Sequence, residues 1–183
     1  DTEMINDDCL NELLSYTERD DVGITGARLL YEDNTVQHAG VVIGYNGLAG
    51  HTFVGNEPDD VGYHAYVIQA RDYSAVTAAC LMVKASLYDE VGGFEEELEV
   101  AFNDVDFCLK VREKGYLVVY NPYAVLHHYE SKSRGYEDTP EKRNRFEKEA
   151  FFTYNKWEKI LADGDPCYNP NLTLSNSDFS LRE

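Results

Sequence analysis

No stretch of about 18 consecutive apolar residues exists in this sequence, so no segment reads as a membrane-spanning helix. A charged n-region followed by an apolar h-region is also missing, and no secretory leader is expected. Basic residues are scarce: 16 Lys and Arg stand against 34 Asp and Glu, a formal net charge of −18. So acidic a chain offers no basic footprint for a phosphate backbone, which sets nucleic acid aside as a general partner. Any phosphorylated ligand would need a metal cation, or a local cluster of Arg, Lys and His, to offset that field. The four cysteines, Cys9, Cys80, Cys108 and Cys167, show no CxxC spacing, and a zinc site is not expected. Cys80 and Cys108 lie in apolar runs and read as small core residues of a reducing compartment. GxGxxG and Walker-type loops are absent, which argues against a generic Rossmann-like nucleotide binder. Internal repeats and low-complexity blocks are absent too.

What remains is enough for one ordinary domain. The 183 residues are 43% hydrophobic and 13% aromatic, long enough for a real core and too short for two comfortable ones. The first residue is Asp1 rather than Met, which reads as a piece of a longer protein. Leu10, Leu13, Leu14 and Thr17 predict a short amphipathic helix ended by Arg19-Asp20-Asp21. Residues 22–31 and 35–45 read as two strands joined at Asp33-Asn34, a hairpin. The glycines, Pro58 and Asp59-Asp60 of 46–62 predict a mobile surface loop, and 63–73 is ambiguous between strand and helix. The apolar run 77–83 predicts a strand buried on both faces, and a brief helix spans 84–90. A strand over 116–120 continues past Pro122 as 124–128, followed by a polar basic loop. Thr139 caps a helix with Pro140 at its first position, running to about Ile160, with Phe146, Ala150, Phe151, Tyr154 and Trp157 as its apolar side. The class is α/β, with 1–162 as the body and 163–183 as a tail packed on it without a core of its own.

The stretch from Val91 to Tyr116, VGGFEEELEVAFNDVDFCLKVREKGY, concentrates the chemistry. Gly92-Gly93 demands a turn, an acidic loop follows, and Asn103 stands as N-cap of a helix that Gly115 stops. Asp104 and Asp106 complement the positive end of that helix dipole. Two meanings stay open at this level: capping on a solvated acidic surface, or a general base at Asp104 oriented by the helix it starts.

Together the segments DTEMI, VGITGARLLYEDNTVQHAGVVIG, TAACLMVKASLYDEVGGFEEEL, FNDVDFCLKVREKGY, HHYESKSRG and PCYNPNLTL resemble the C-terminal half of a family-2 glycosyltransferase of the GT-A fold. The resemblance is to bacterial members that build rhamnose-containing polysaccharides and O-antigens. It implies a mixed sheet flanked by helices and an inverting transfer from a nucleotide-diphosphate sugar to a glycan or lipid-linked glycan acceptor. A divalent cation, Mn²⁺ or Mg²⁺, is implied in the full-length enzyme. So is work in the cytoplasm or at the inner face of the membrane.

By the same resemblance Asp104 is the catalytic base, in a pair whose first position is Asn103 where Glu is commoner. Asn103 would support the site or the acceptor, and Asp106 would be structural. Asp1 would be the last acid of a DxD-like metal motif, with Glu3 beside it, and His128 a metal or diphosphate ligand. Lys132 and Arg134 would face the pyrophosphate. Read from the residues alone, Asp1 and Glu3 are equally a frayed terminus, His128 a surface histidine, and Lys132 and Arg134 solvated charge. His127 alternates to the opposite face, and His38, His51 and His64 are not assigned as ligands. The segment 129–138 is a lid candidate. With the donor half upstream of residue 1, the isolated piece is expected to be inactive and to self-associate through an exposed sheet edge. A non-catalytic glycan-binding or assembly module on the same scaffold is the competing class.

Overall fold

The structure, a computed structural model, describes residues 1–129 and 139–182. Two long strands form its spine: β2 (Val22–Leu30) and β8 (Leu117–His128), which run parallel from Val22 opposite Leu117 to Leu30 opposite His127. Short antiparallel strands line the outer edges. On the far side of β8 lie β1 (Thr2–Met4) and β6 (Arg71–Tyr73); on the far side of β2 lie β3 (Val36–His38) and β7 (Leu81–Val83). The register slips between Ala27 opposite Asn121 and Arg28 opposite Val125. That slip lets Pro122, which has no N–H to give, sit within β8 without breaking the strand.

Helix α1 (Cys9–Thr17) packs on one face of the sheet, where Cys9 and Leu13 meet Ala27, Leu29, Ala124 and Leu126. The other face carries the larger core, to which α2 (Ala85–Glu90) gives Leu87 and α3 (Asn103–Glu113) gives Val105, Phe107, Cys108, Leu109 and Val111. Gly115 follows α3 at φ 91°, the left-handed stop the sequence announces. Thr139 caps α4 (Pro140–Lys156) by accepting the Lys142 N–H at 3.3 Å, and α5 (Glu158–Asp163) follows after a break at Trp157. The α/β class and the β2–β3 hairpin are as expected, and a tail follows α5. Leu172 and Phe179 anchor that tail, Phe179 stacking on Phe53 and Tyr63.

Four local expectations are corrected. The strand read over 35–45 is two: β3 pairs with β2, and β4 (Val41–Ile43) leaves to pair with β5 (Ala49–His51) in a separate two-stranded sheet. Gly40, at φ 105°, makes that break, and a Cβ there would lie 2.4 Å from the Tyr73 ring. The loop read over 46–62 therefore contains a paired strand, and it buries Phe53. The strand read over 77–83 forms only as the half-buried β7, because side chains take the Thr77 and Ala78 amides, as shown below. Of the aromatic stripe expected on α4, only Trp157, at the helix's C-terminal end, is buried. Glu149 and Thr153 are buried, whereas Phe146, Phe151 and Tyr154 are exposed.

Candidate functional site

Asp104 sits in the first turn of α3, half-buried. Its Oδ1 accepts the Val105 N–H at 2.9 Å and its Oδ2 accepts the Ala78 N–H at 3.2 Å. The helix N-terminus and an amide from the 77–80 turn thus fix the carboxylate from two sides. The residue before the helix is Phe102, not Asn103: Phe102 takes the N-cap position at φ 62°, and Asn103 opens the helix itself. A left-handed phenylalanine beside a candidate base is local strain, and such strain gathers at working sites.

Asp104 lines a cleft of about 340 Å³ with Val41, Gly50, His51, Phe102, Arg145 and Phe146 among its walls. Phe102 and Phe146 approach with ring centroids 5.5 Å apart. Arg145 brings a cation into this cleft from α4, 3.7 Å from Glu149. Asn103 does not line it.

His128 ends β8 and lines a second cleft, of about 330 Å³, with Tyr31, Gln37, His51, Val54 and Thr77. Asp104 and His128 therefore occupy neighbouring clefts rather than one, and His51 is a wall of both. His128 Nδ1 lies 2.8 Å from Gln37 Oε1, and Gln37 Nε2 donates to the His128 carbonyl at 3.2 Å. An amide oxygen can only accept, so Nδ1 carries a proton, and in the neutral ring Nε2 holds the lone pair. Nε2 lies 3.9 Å from Asp1 Oδ1, the pairing across the β1–β8 ladder that sets Thr2 opposite His128.

An imidazole lone pair and a carboxylate oxygen at that separation, with the other ring nitrogen tied to an oxygen acceptor, fit a divalent cation. They supply two ligands. Among the described residues no group of three or more His, Cys, Asp and Glu is placed to hold a metal. Two protein ligands suit Mg²⁺ or Mn²⁺ completed by phosphate oxygens and water, rather than an all-protein cage. Glu3 does not join them; its Oε2 accepts the Tyr129 hydroxyl at 2.7 Å.

Lys132, Arg134 and the 129–138 lid, apart from Tyr129, lie outside the described residues. His127 turns to the opposite face, as alternation requires, and its Nε2 lies 2.9 Å from Asn34 Oδ1. Asp106 is structural: fully buried, it is held by Lys156 at 2.8 Å, Lys110 at 3.3 Å and the Trp157 indole N–H at 2.9 Å. Of the two cysteines expected in the core, Cys108 is buried and Cys80 half-buried. None of the four cysteines is in a disulfide, and burial pushes the Cys80 thiol up to about 11 and Cys108 higher still.

Three residues of the site carried no readable signal. Gln37 orients His128. His51 separates the clefts. Glu149 accepts the N–H groups of Glu99, Val100 and Ala101, fixing the loop that delivers Phe102 and Asp104.

No protein-family model matches the chain. It is 50% identical, over 182 residues and 99% of its length, to uncharacterized protein y4gI of Sinorhizobium fredii (strain NBRC 101917 / NGR234), of which it covers 20%. It is 35% identical over 184 residues, all of its length, to O-antigen biosynthesis protein RfbC of Myxococcus xanthus, of which it covers 14%. Over 60 residues, 33% of the chain and 20% of the relative, it is 35% identical to N-acetylglucosaminyl-diphospho-decaprenol L-rhamnosyltransferase of Mycobacterium tuberculosis. The chain thus spans a fifth or less of the curated relatives it matches.

Proposed function

We propose that this chain is part of a glycosyltransferase-like protein of polysaccharide biosynthesis, and that it contributes the acceptor-side catalytic portion of a GT-A domain. The names of two relatives, an O-antigen biosynthesis protein and a rhamnosyltransferase, support the class. The observation that carries the chemistry is the placement of Asp104. A carboxylate clamped by a helix terminus and the Ala78 amide opens onto a cleft adjoining the Asp1–His128 pair.

In this reading a hydroxyl of the acceptor glycan attacks the anomeric carbon of a nucleotide-diphosphate sugar. The new C–O bond forms as the bond to the diphosphate breaks, and Asp104 accepts the hydroxyl proton. Single displacement inverts the anomeric centre. A carboxylate within hydrogen-bond reach is worth about 10²–10⁴ in rate as a general base. Asp1 and His128 would hold a divalent cation, whose charge would stabilise the departing diphosphate. Phe102 and Phe146 present aromatic surface beside Asp104, suited to the C–H face of a sugar ring.

The test is Asp104→Asn in the longer protein. Turnover is expected to fall by about 10²-fold or more, with Mn²⁺-dependent nucleotide-sugar affinity retained. Turnover within a few-fold of the parent would remove Asp104 as base. Absence of both turnover and nucleotide-sugar binding in the parent protein would favour a glycan-binding module instead.

A further inference from the structure

The wall shared by the two clefts is a histidine whose ring is fixed by a relay of hydrogen bonds. The Thr77 N–H donates to His38 Nε2 at 3.4 Å, so that nitrogen carries a lone pair. His38 is fully buried, and burial, reinforced by the neighbouring His51, holds its pKa well below the usual 6.5. The neutral ring must then carry its proton on Nδ1, which lies 3.2 Å from His51 Nδ1. With His38 donating, His51 Nδ1 accepts, and the neutral His51 ring bears its proton on Nε2. The rings meet edge-on, with centroids 4.8 Å apart and planes at 75°. The backbone fixes both ends of the pair. His38 sits opposite Leu29 in the main sheet, and His51 sits opposite Val41 in the small one.

We propose that His51 is a carbohydrate-binding residue: its Nε2–H, set by the Thr77–His38 relay, donates to a hydroxyl of the sugar in the Asp104 cleft. This rests on the glycosyl-transfer reading above. Sugar recognition needs donors and acceptors at fixed angles beside an apolar surface. Asp104, an acceptor, lines the cleft together with His51 and Arg145, which can donate, and with Phe102 and Phe146 as an apolar face. A ring free to exchange tautomers would offer an acceptor part of the time. The relay removes that ambiguity and makes His51 select a hydroxyl oriented to accept. His38 is a positioning residue, acting only through the proton it gives to His51.

Long-range ¹H–¹⁵N spectra of the labelled chain read the tautomers directly, and a titration with a panel of methyl glycosides reads the contact. His38 is expected as the Nδ1–H form and His51 as the Nε2–H form, with the His51 ring nitrogens and the Ala78 amide shifting together. His51→Ala should weaken glycoside binding about fivefold, while His51→Gln, whose amide N–H falls near Nε2, should stay within about twofold of the parent. His38→Gln should leave the fold intact by circular dichroism and split His51 between tautomers. A proton on His51 Nδ1 in the parent, or loss of binding equal in the Ala and Gln variants, overturns the proposal. A shifting Ala78 amide beside unmoved His51 resonances overturns it too, but leaves the transfer reading standing. No shift at either place with any glycoside removes the proposal and the sugar assignment of the cleft together.

Discussion

Glu149 Oε2 accepts the N–H of Ala101 at 2.8 Å, although the two residues are 48 positions apart in the chain. Oε1 takes the N–H of Glu99 at 3.1 Å and that of Val100 at 3.3 Å. One buried carboxylate from α4 therefore closes the loop from which Phe102 and Asp104 emerge. Phe102 is left at φ 62°, a conformation that costs a non-glycine residue on the order of 1 kcal/mol, and the grip of Glu149 on the preceding amides offsets it.

Glu149→Ala should destabilise the chain by about 3 kcal/mol, since three backbone donors lose their acceptor and water recovers only part of the loss. Glu149→Gln, keeping one oxygen, should fall between. Urea unfolding at constant m-value measures both. Parent-like stability of the alanine variant would show that the loop holds itself.

The Asp1–His128 pair predicts Mn²⁺ binding that depends on a residue touching no metal. His128→Ala should abolish the binding, and Gln37→Leu should weaken it about tenfold by freeing the imidazole to rotate or change tautomer. Calorimetric titration with Mn²⁺ checks both. Equal affinity in the Gln37 variant would show that this contact does not orient the ligand.

His38 predicts a pH dependence of stability. Its folded pKa is depressed below the usual 6.5 by burial, so below that pH the unfolded chain binds a proton that the folded chain refuses. Stability is therefore full above about 6.5 and declines as pH falls beneath it, by about 1.4 kcal/mol per unit from this one group. His38→Gln should flatten that segment of the curve. Urea midpoints collected from pH 7.5 to 5 test the difference in slope; identical slopes would mean His38 titrates normally when folded.

The exposed face of α4 predicts unequal roles for its aromatic residues. Phe151→Ser and Tyr154→Ser should each change stability by no more than about 0.5 kcal/mol, being surface substitutions. Trp157→Phe should cost about 2 kcal/mol, because it removes the indole N–H from the buried Asp106. Thermal melts of the three variants rank them.

Local sequence carried the elements whose signals are themselves local. The helical spacing of Val105, Cys108, Leu109 and Val111, the stop at Gly115, the Thr139-Pro140 cap and the turn at Asp33-Asn34 need only neighbouring residues to be read. Failures came where a distant group took over. The apolar run from Thr77 promised ladder pairing, but His38 and Asp104 claim its first amides. The stripe of α4 promised a buried face, but the buried positions are those from which Glu149 and Thr153 turn toward the body.

The sequence by itself determined the α/β class, the helix that presents Asp104 and the strand that ends in His128, because hydrophobic period and capping chemistry act within a few residues. Only the tertiary structure decided that Gln37 accepts from His128 Nδ1, that Glu149 holds the loop before Asp104, and that His51 stands between two clefts. Each of those is a hydrogen bond or a shared wall between strands and helices far apart in the chain. Its partner is fixed by sheet register and by where Gly40 sends β4, and neither is written in the residues beside it.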